Sequence, residues 1–460
     1  MFPILPPNSL SRRGFLAGCA GACAACAGLA RAQSGNSLAV PSVTPVLRVV
    51  FSHPPADREG WPYKAFPYEP RKRELLAKLQ AAFPNSRFLS ATVESNAAVK
   101  QVLEGDAEVD GYLVFLLGIP GPGASIASSG RPAIFVNELY GGGIGLVKGA
   151  RVVSISSSNF QDVTDAIRCF DCMKKLRQSV ILDAVNRDPG ATATGIRETF
   201  GTEVRVISSQ DLSTAYEAAS PSESARWAKT WIAGAQKIIE PSHEEIGKSA
   251  QMYIGMRDLM TQNAAQAIAV DCLTFFYAGR MPAYPCLGFC QLNNDGFVGA
   301  CEADLQSTVT MLMLSYLTGR PGYISDPVID TAKKQVIYAH CVAPTKVYGP
   351  KGPSNPYHIR SHSEDRKGAS IRSLMPLDEM TTTLKFVPER KTMVIHQGRT
   401  VGNVDNDLAC RTKLAVAFPN AQRLFDGWGF GWHRVTVYGD FKQSLENFSR
   451  LMGFQIVEEG

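Results

Sequence analysis

The sequence predicts two parallel-sheet α/β domains followed by a β-rich C-terminal domain. Three observations carry this. Strand-like apolar runs alternate with helically periodic stretches through the first part of the chain, the pattern of a parallel α/β layer. The alternation restarts near Asp162. From about Pro344, Pro, Gly and short β-rich runs take over. The length of 460 residues agrees, being too great for one ordinary core and suited to two or three domains.

Taken in order, residues 33–45 form a Ser/Pro-rich linker. The first α/β domain is expected over 46–165. It opens on the strand-like run Val46-Leu47-Arg48-Val49-Val50-Phe51, and helical periodicity follows over 72–83. Residues 87–89, 111–118, 132–136 and 152–155 read as further strands, with a helix near 97–103. The second α/β domain is expected over 166–318, with helix over 166–184 and 242–262 and strands over 203–207 and 267–271. The apolar helix 305–317 closes it. The β-rich domain is expected over 319–460, where Leu384-Lys385-Phe386-Val387 and Thr392-Met393-Val394-Ile395 are representative strands.

Composition excludes some partners. Hydrophobic residues make up 45% and charged residues 19%, a globular balance, and a formal charge of +5 without a polybasic stretch argues against nucleic acid. The first 32 residues read as an export signal. Ser11-Arg12-Arg13-Gly14-Phe15-Leu16 is a twin-arginine pattern, a short apolar stretch follows to about Leu29, and Ala30-Arg31-Ala32 offers a cleavage site before Gln33. That stretch is too short and too rich in Ala and Gly to span a membrane. Leu16-Ala17-Gly18-Cys19 also has the form of a lipoprotein box, which makes Cys19 a candidate lipid anchor. Cleavage after Ala32 removes three arginines and no acid, leaving a charge of about +2, and removes three of the 11 cysteines. A periplasmic protein folded before export does not depend on disulfides and can take up any cofactor in the cytoplasm.

Several motifs have plain readings. Gly141-Gly142-Gly143-Ile144-Gly145 lacks the Lys-Ser/Thr ending of a phosphate loop and reads as an ordinary loop. Cys169-Phe170-Asp171-Cys172 lacks a second Cys pair and reads as structural cysteines on a helix. The informative region begins at Pro285. Glu302 and Asp304 stand between a strand-like run and a helix start, where carboxylates meet the positive end of the helix dipole. Asp304 reads as an N-cap. Glu302, flanked by apolar residues, needs a partner. A divalent ion would serve. Glu302, Asp326 and His340 with one further histidine make an O,O,N,N ligand set that suits Mn²⁺, and also Co²⁺, Fe²⁺ or Mg²⁺. The further histidine is His433, in Gly427-Trp428-Gly429-Phe430-Gly431-Trp432-His433-Arg434, where Trp432 and the glycines suggest an aromatic-lined pocket. His358, Arg360 and His362 are candidates for contacting polar groups of a substrate, with a solvated loop as the alternative.

From about Asp271 to the C-terminus, about 40% of the chain, the sequence resembles the L-fucose isomerase and L-arabinose isomerase superfamily. The residues that carry the resemblance are Leu292-Asn293-Asn294-Asp295-Gly296, Cys301-Glu302-Ala303-Asp304, Asp326, Ala339-His340 and Trp432-His433-Arg434. The resemblance implies Glu302, Asp326 and His433 as metal ligands, His340 as a fourth, and a homo-oligomer, a hexamer with its active site near a subunit boundary. It implies aldose–ketose isomerisation through an enediol, with Glu302 and Asp326 as the proton-handling pair. The chain is shorter than a typical fucose isomerase, and its export signal is unusual for a mostly cytoplasmic family. Two further readings follow: the same metal site used for epimerisation, elimination or hydrolysis of a sugar derivative, or a non-catalytic sugar-binding protein.

Overall fold

Parallel strands buried on both faces must be apolar throughout, and the central strand of the first sheet follows that rule. The computed structural model describes residues 38–460 apart from Pro120, Ile144 and Leu146. Arg12-Arg13, Cys19 and the cleavage position after Ala32 lie outside the described residues. The first sheet contains β1 (Val46–Ser52), β2 (Arg87–Val93), β3 (Gly111–Leu116), β4 (Ala133–Asn137) and β5 (Val152–Ile155). All pair parallel in the order 2-1-3-4-5. The central β3 is buried along its whole length. Its alternate side chains feed two cores on opposite faces, Leu113 and Phe115 in one and Tyr112 and Val114 in the other.

The helix Phe160–Arg177 follows, started by Asn159, whose side chain accepts from the Gln161 amide. This single helix spans residues 165 and 166. Its Cys169 and Cys172 are buried, with their sulfurs near the carbonyls of Ser444 and Met313. Burial pushes the Cys169 thiol up to about 12, so the pair is inert packing. Residues 166–184, expected as one helix, divide: the helix ends at Arg177 and β6 (Val180–Ala184) begins. A short apolar run such as Val180-Ile181-Leu182 has no periodicity that separates strand from helix, and pairing decides it.

The second sheet contains β6, β7 (Glu203–Ile207), β9 (Ala267–Val270) and β10 (Val298–Cys301), all parallel, in the order 10-9-6-7. The intervening β8 (Lys237–Ile238) joins a different sheet. The motif Asn293-Asn294 binds this region together. Asn293 exchanges two hydrogen bonds with Gly299 at 3.0 and 3.1 Å, and Asn294 accepts from the amides of Thr345 and Lys346 at 2.8 and 2.9 Å.

The helix Leu305–Thr318 ends at Gly319, whose φ of +69° closes it in the left-handed region. The β-rich part then forms a closed barrel. Its strands are β11 (Tyr323–Asp330), β12 (Gln335–His340), β15 (Met380–Val387), β16 (Thr392–Asn403), β17 (Thr412–Ala417) and β18 (Arg434–Tyr438). They run 15-18-11-12-17-16, and antiparallel pairing of β15 with β16 closes the ring. Closure removes exposed edges. The last strand, β19 (Gln455–Glu458), adds parallel to β16. Between β12 and β15, β13 (Tyr357–Arg360) and β14 (Ser370–Ser373) form a small sheet with β8. Among the described residues no helix is long and apolar enough to cross a membrane.

Candidate metal centre

The carboxyl end of β10 and the end of the barrel nearest it face one another. Glu302 leaves β10 in the left-handed region, φ +60°, and Ala303 follows at +47°. Two successive non-glycine residues there cost about 1–3 kcal/mol each, strain of the kind that concentrates at functional sites. The turn is held by Ala303 N donating to Val270 O at 2.9 Å and ends in Asp304, which starts the next helix. The barrel supplies the rest. Asp326 stands on β11, His340 ends β12, and His433 precedes β18. In the register Asp326 lies opposite Ala339, next to His340. Phe430 and Gly431, at φ +62° and +84°, turn the chain into Trp432-His433, and a Cβ at position 431 would approach Lys385 Nζ to 3.1 Å.

One ligand atom each from Glu302, Asp326, His340 and His433 lies within 4.8 Å of the others. This cluster of two carboxylates and two imidazoles could hold a metal ion. His433 Nε2 is 3.1 Å from Asp326 Oδ1 and 3.4 Å from Glu302 Oε2, and His340 Nε2 is 3.8 Å from Glu302 Oε1. Both Nε2 atoms are buried without an aligned hydrogen-bond partner. Buried polar atoms are rarely left so, and an ion would satisfy them.

Asp304 does more than cap its helix. It accepts from Ser307 N at 2.9 Å and Ser307 Oγ at 2.7 Å, as an N-cap should. Its Oδ2 is also 2.8 Å from His433 Nδ1 and 3.4 Å from Lys385 Nζ. A carboxylate on Nδ1 fixes the proton there and points the Nε2 lone pair outward, the usual support for a metal-binding histidine. His340 is held in the opposite sense. Cys341 N donates to its Nδ1 at 2.9 Å, so in the neutral ring the proton sits on Nε2. To ligate through Nε2, His340 must give up that backbone hydrogen bond; His433 keeps its bond to Asp304.

Electrostatics follow the same geometry. Burial pulls the His433 imidazole down, but Asp304, Asp326 and Glu302 outweigh it and hold it up at about 11, so without an ion the ring is a cation. Burial pushes Asp326 up, yet His433, His340 and Trp432 hold it below the ordinary carboxylate range. Asp304 is held well below that range against its own burial by His433, Lys385 and the Ser307 amide. Metal binding here must displace the His433 proton, which makes affinity fall in acid.

Trp432 is 65% exposed, and its Nε1 donates to Asp326 Oδ1 at 2.7 Å. Behind the centre, the fully buried Arg434 pairs with Glu459 at 2.6 and 3.0 Å and stacks on Trp428 at 4.0 Å, fixing the start of the strand that follows His433. A cavity of about 390 Å³ opens onto the centre, lined among others by Asp183, Arg187, Glu302, Asp304, Trp432 and His433.

His358, Arg360 and His362 do not line this cavity. Arg360 Nε donates to both oxygens of Glu240 at 2.8 Å, and its Nη2 reaches Asp407 at 2.9 Å. His362 Nδ1 is 3.2 Å from Asp365. His358 is buried in the small sheet with its Nδ1 unpartnered. The structure thus brings together four of the expected site residues, with Trp432 at their edge, and leaves these three apart. Sequence reasoning missed Asp304 as the support of His433, because a helix start already explained that residue.

No family model matches the chain. It is similar to the sulfoquinovose isomerase of Priestia aryabhattai, 23% identical over 222 residues, 47% of this chain and 49% of that protein. It is similar to the sulfoquinovose isomerase of Alkalicoccus urumqiensis, 21% identical over 304 residues, 63% and 67% of the two chains. A stretch of 93 residues is 31% identical to the sulfoquinovose isomerase of Clostridium sp. (strain MSTE9), covering 20% of each. The chain spans about half the length of the curated Priestia relatives it matches. Among solved structures, an ABC transporter solute binding protein from Burkholderia multivorans is 10% identical, covers 60% of this chain and 93% of that one, and has a TM-score of 0.17, too low to bear on fold or function. The similarity is to sugar isomerases, and it does not single out L-fucose or L-arabinose isomerases.

Proposed function

We propose that this protein is a divalent-metal-dependent aldose–ketose isomerase, with a ligand set of the L-fucose and L-arabinose isomerase kind and Mn²⁺ as the metal that suits it. The observation that carries the proposal is the convergence of Glu302, Asp326, His340 and His433 beneath a cavity, with Asp304 aiming His433. A divalent ion bound there supplies stabilisation of the negative charge that develops on sugar oxygens as a proton moves between adjacent carbons. The chain's residues do the rest. Glu302 and Asp326 are the two carboxylates that can take that proton from one carbon and return it to the next. The Trp432 N–H orients Asp326 and adds to His433 and His340 in keeping it ionised. The substrate is a free sugar, and sulfoquinovose, named for the relatives, heads the compounds to try. The proposal includes the twin-arginine export of the chain and its assembly into an oligomer.

The test is metal content of the purified protein, wild type against Glu302→Ala, with turnover of sulfoquinovose, pentoses, hexoses and 6-deoxyhexoses in Mn²⁺. About one ion per chain is expected in the wild type, with at least about a hundredfold weaker binding in the variant. Turnover should fall by about 10²–10⁴. A wild-type protein that binds neither Mn²⁺ nor Co²⁺ overturns the reading.

A further inference from the structure

The cavity above the metal centre contains a carboxyl group for which the centre has no use. Asp183 stands one residue from the carboxyl end of β6. In the strand order 10-9-6-7, β6 continues to β7 on one side while β9 lies on the other. Connections therefore diverge between β6 and β9, and open parallel sheets bind their ligands in the crevice at such a point. Asp183 is 1% exposed, and its Oδ1 has no hydrogen-bond partner. It lines the same cavity of about 390 Å³ as Glu302 and His433.

Its charged neighbours do not satisfy it. Arg187 and Asp271 are the charged groups that act on it. Arg187 is itself 3.7 Å from Asp271 and more than half exposed. Burial pushes the Asp183 carboxyl up to about 7; Arg187 opposes this and Asp271 adds to it. At neutral pH a large share of the protein thus holds Asp183 as the acid, an O–H donor facing a cavity. An unpartnered buried carboxyl destabilises the fold unless something in the cavity completes its hydrogen bonds.

We propose that Asp183 is a substrate-contacting residue, whose carboxyl hydrogen-bonds a hydroxyl of the sugar held over the Glu302–Asp326–His433 centre. This rests on the isomerase reading and extends it to a residue from the neighbouring strand. Such a contact recognises a polyhydroxylated chain and selects the configuration of one hydroxyl.

The experiment compares wild type, Asp183→Asn and Asp183→Ala, each loaded with Mn²⁺, for bound metal and for KM and kcat with sulfoquinovose and the sugar panel. Asp183→Ala is expected to raise KM about tenfold, the loss of one hydrogen bond, with metal content unchanged. Asp183→Asn keeps a donor and should recover most of that loss at pH 7. Wild-type KM should worsen as pH rises through about 7, and the Asn variant should not follow it. Folding is checked by melting. A folded-state pKa raised above the usual carboxyl value near ~4 means stability is lost as pH rises from there through about 7. Asp183→Asn should therefore melt no lower than wild type at pH 8. Wild-type KM in both variants overturns the proposal and leaves the isomerase reading standing. Loss of bound metal in both overturns it by making Asp183 a support of the centre. A wild-type protein that turns over no sugar overturns both.

Discussion

At the scale of single residues, the two histidines of the centre are unequal. His433 is aimed by Asp304, whereas His340 is held by its own backbone neighbour in the opposite tautomer. His433→Ala and Asp304→Asn should each weaken Mn²⁺ binding, the latter by about 10–100-fold. His340→Ala should weaken it less than His433→Ala. Competition against a fluorescent chelator measures all three, and an equal loss for the two histidines would show that His340 turns over to ligate. These differences were only partly legible in the sequence. Glu302 could be picked out because a carboxylate among apolar residues demands a partner, and His433 because glycines and tryptophans surround it; Asp326 and His340 completed the ligand set and were supported by the resemblance. Asp304 could not be picked out, because a helix start explains an aspartate fully. Asp183 was hidden by a wrong period: with 166–184 read as helix, no strand end existed on which to place it.

At the scale of elements, strand alternation was legible wherever burial on both faces made a run uniformly apolar, as in β3. It was less legible where polar side chains carry the structure. Tyr357-His358-Ile359-Arg360-Ser361-His362 has the composition of a sugar-binding loop, yet it holds β13 against the segment before the helix His243–Gln262. Arg360 joins Glu240 and Asp407 across that junction, and the Ser361 amide donates to Glu240 at 3.1 Å. Arg360→Ala should lower stability by about 2 kcal/mol and leave KM for any sugar within a factor of about two. Urea unfolding together with steady-state kinetics separates the outcomes; a large rise in KM at unchanged stability would return Arg360 to the site. Asn293 and Asn294 likewise work as brackets between a helix, β10 and the Thr345 loop.

At the scale of the whole molecule, the centre joins two modules. Glu302 directly follows β10 of the second parallel sheet, while Asp326 and His340 stand on barrel strands and His433 directly precedes one. A bound ion is therefore a cross-link between them. At a free-ion concentration of 100 times Kd it should stabilise the protein by about 2.7 kcal/mol. Calorimetry with Mn²⁺ and with a chelator should show one sharp transition in the first case and an earlier, broader one in the second. Identical scans would mean that the modules are locked together without it. The closed barrel gives this centre a further property. β18, which follows His433, is the last of the ring's strands in chain order. The cup for the ion thus exists only once the chain has been made as far as the last strand of the ring. Glu302 and Asp326 must wait for the arrival of a histidine translated more than a hundred residues later. Loading with metal is in this sense a receipt for synthesis through His433, one that a chain ended before that residue cannot produce.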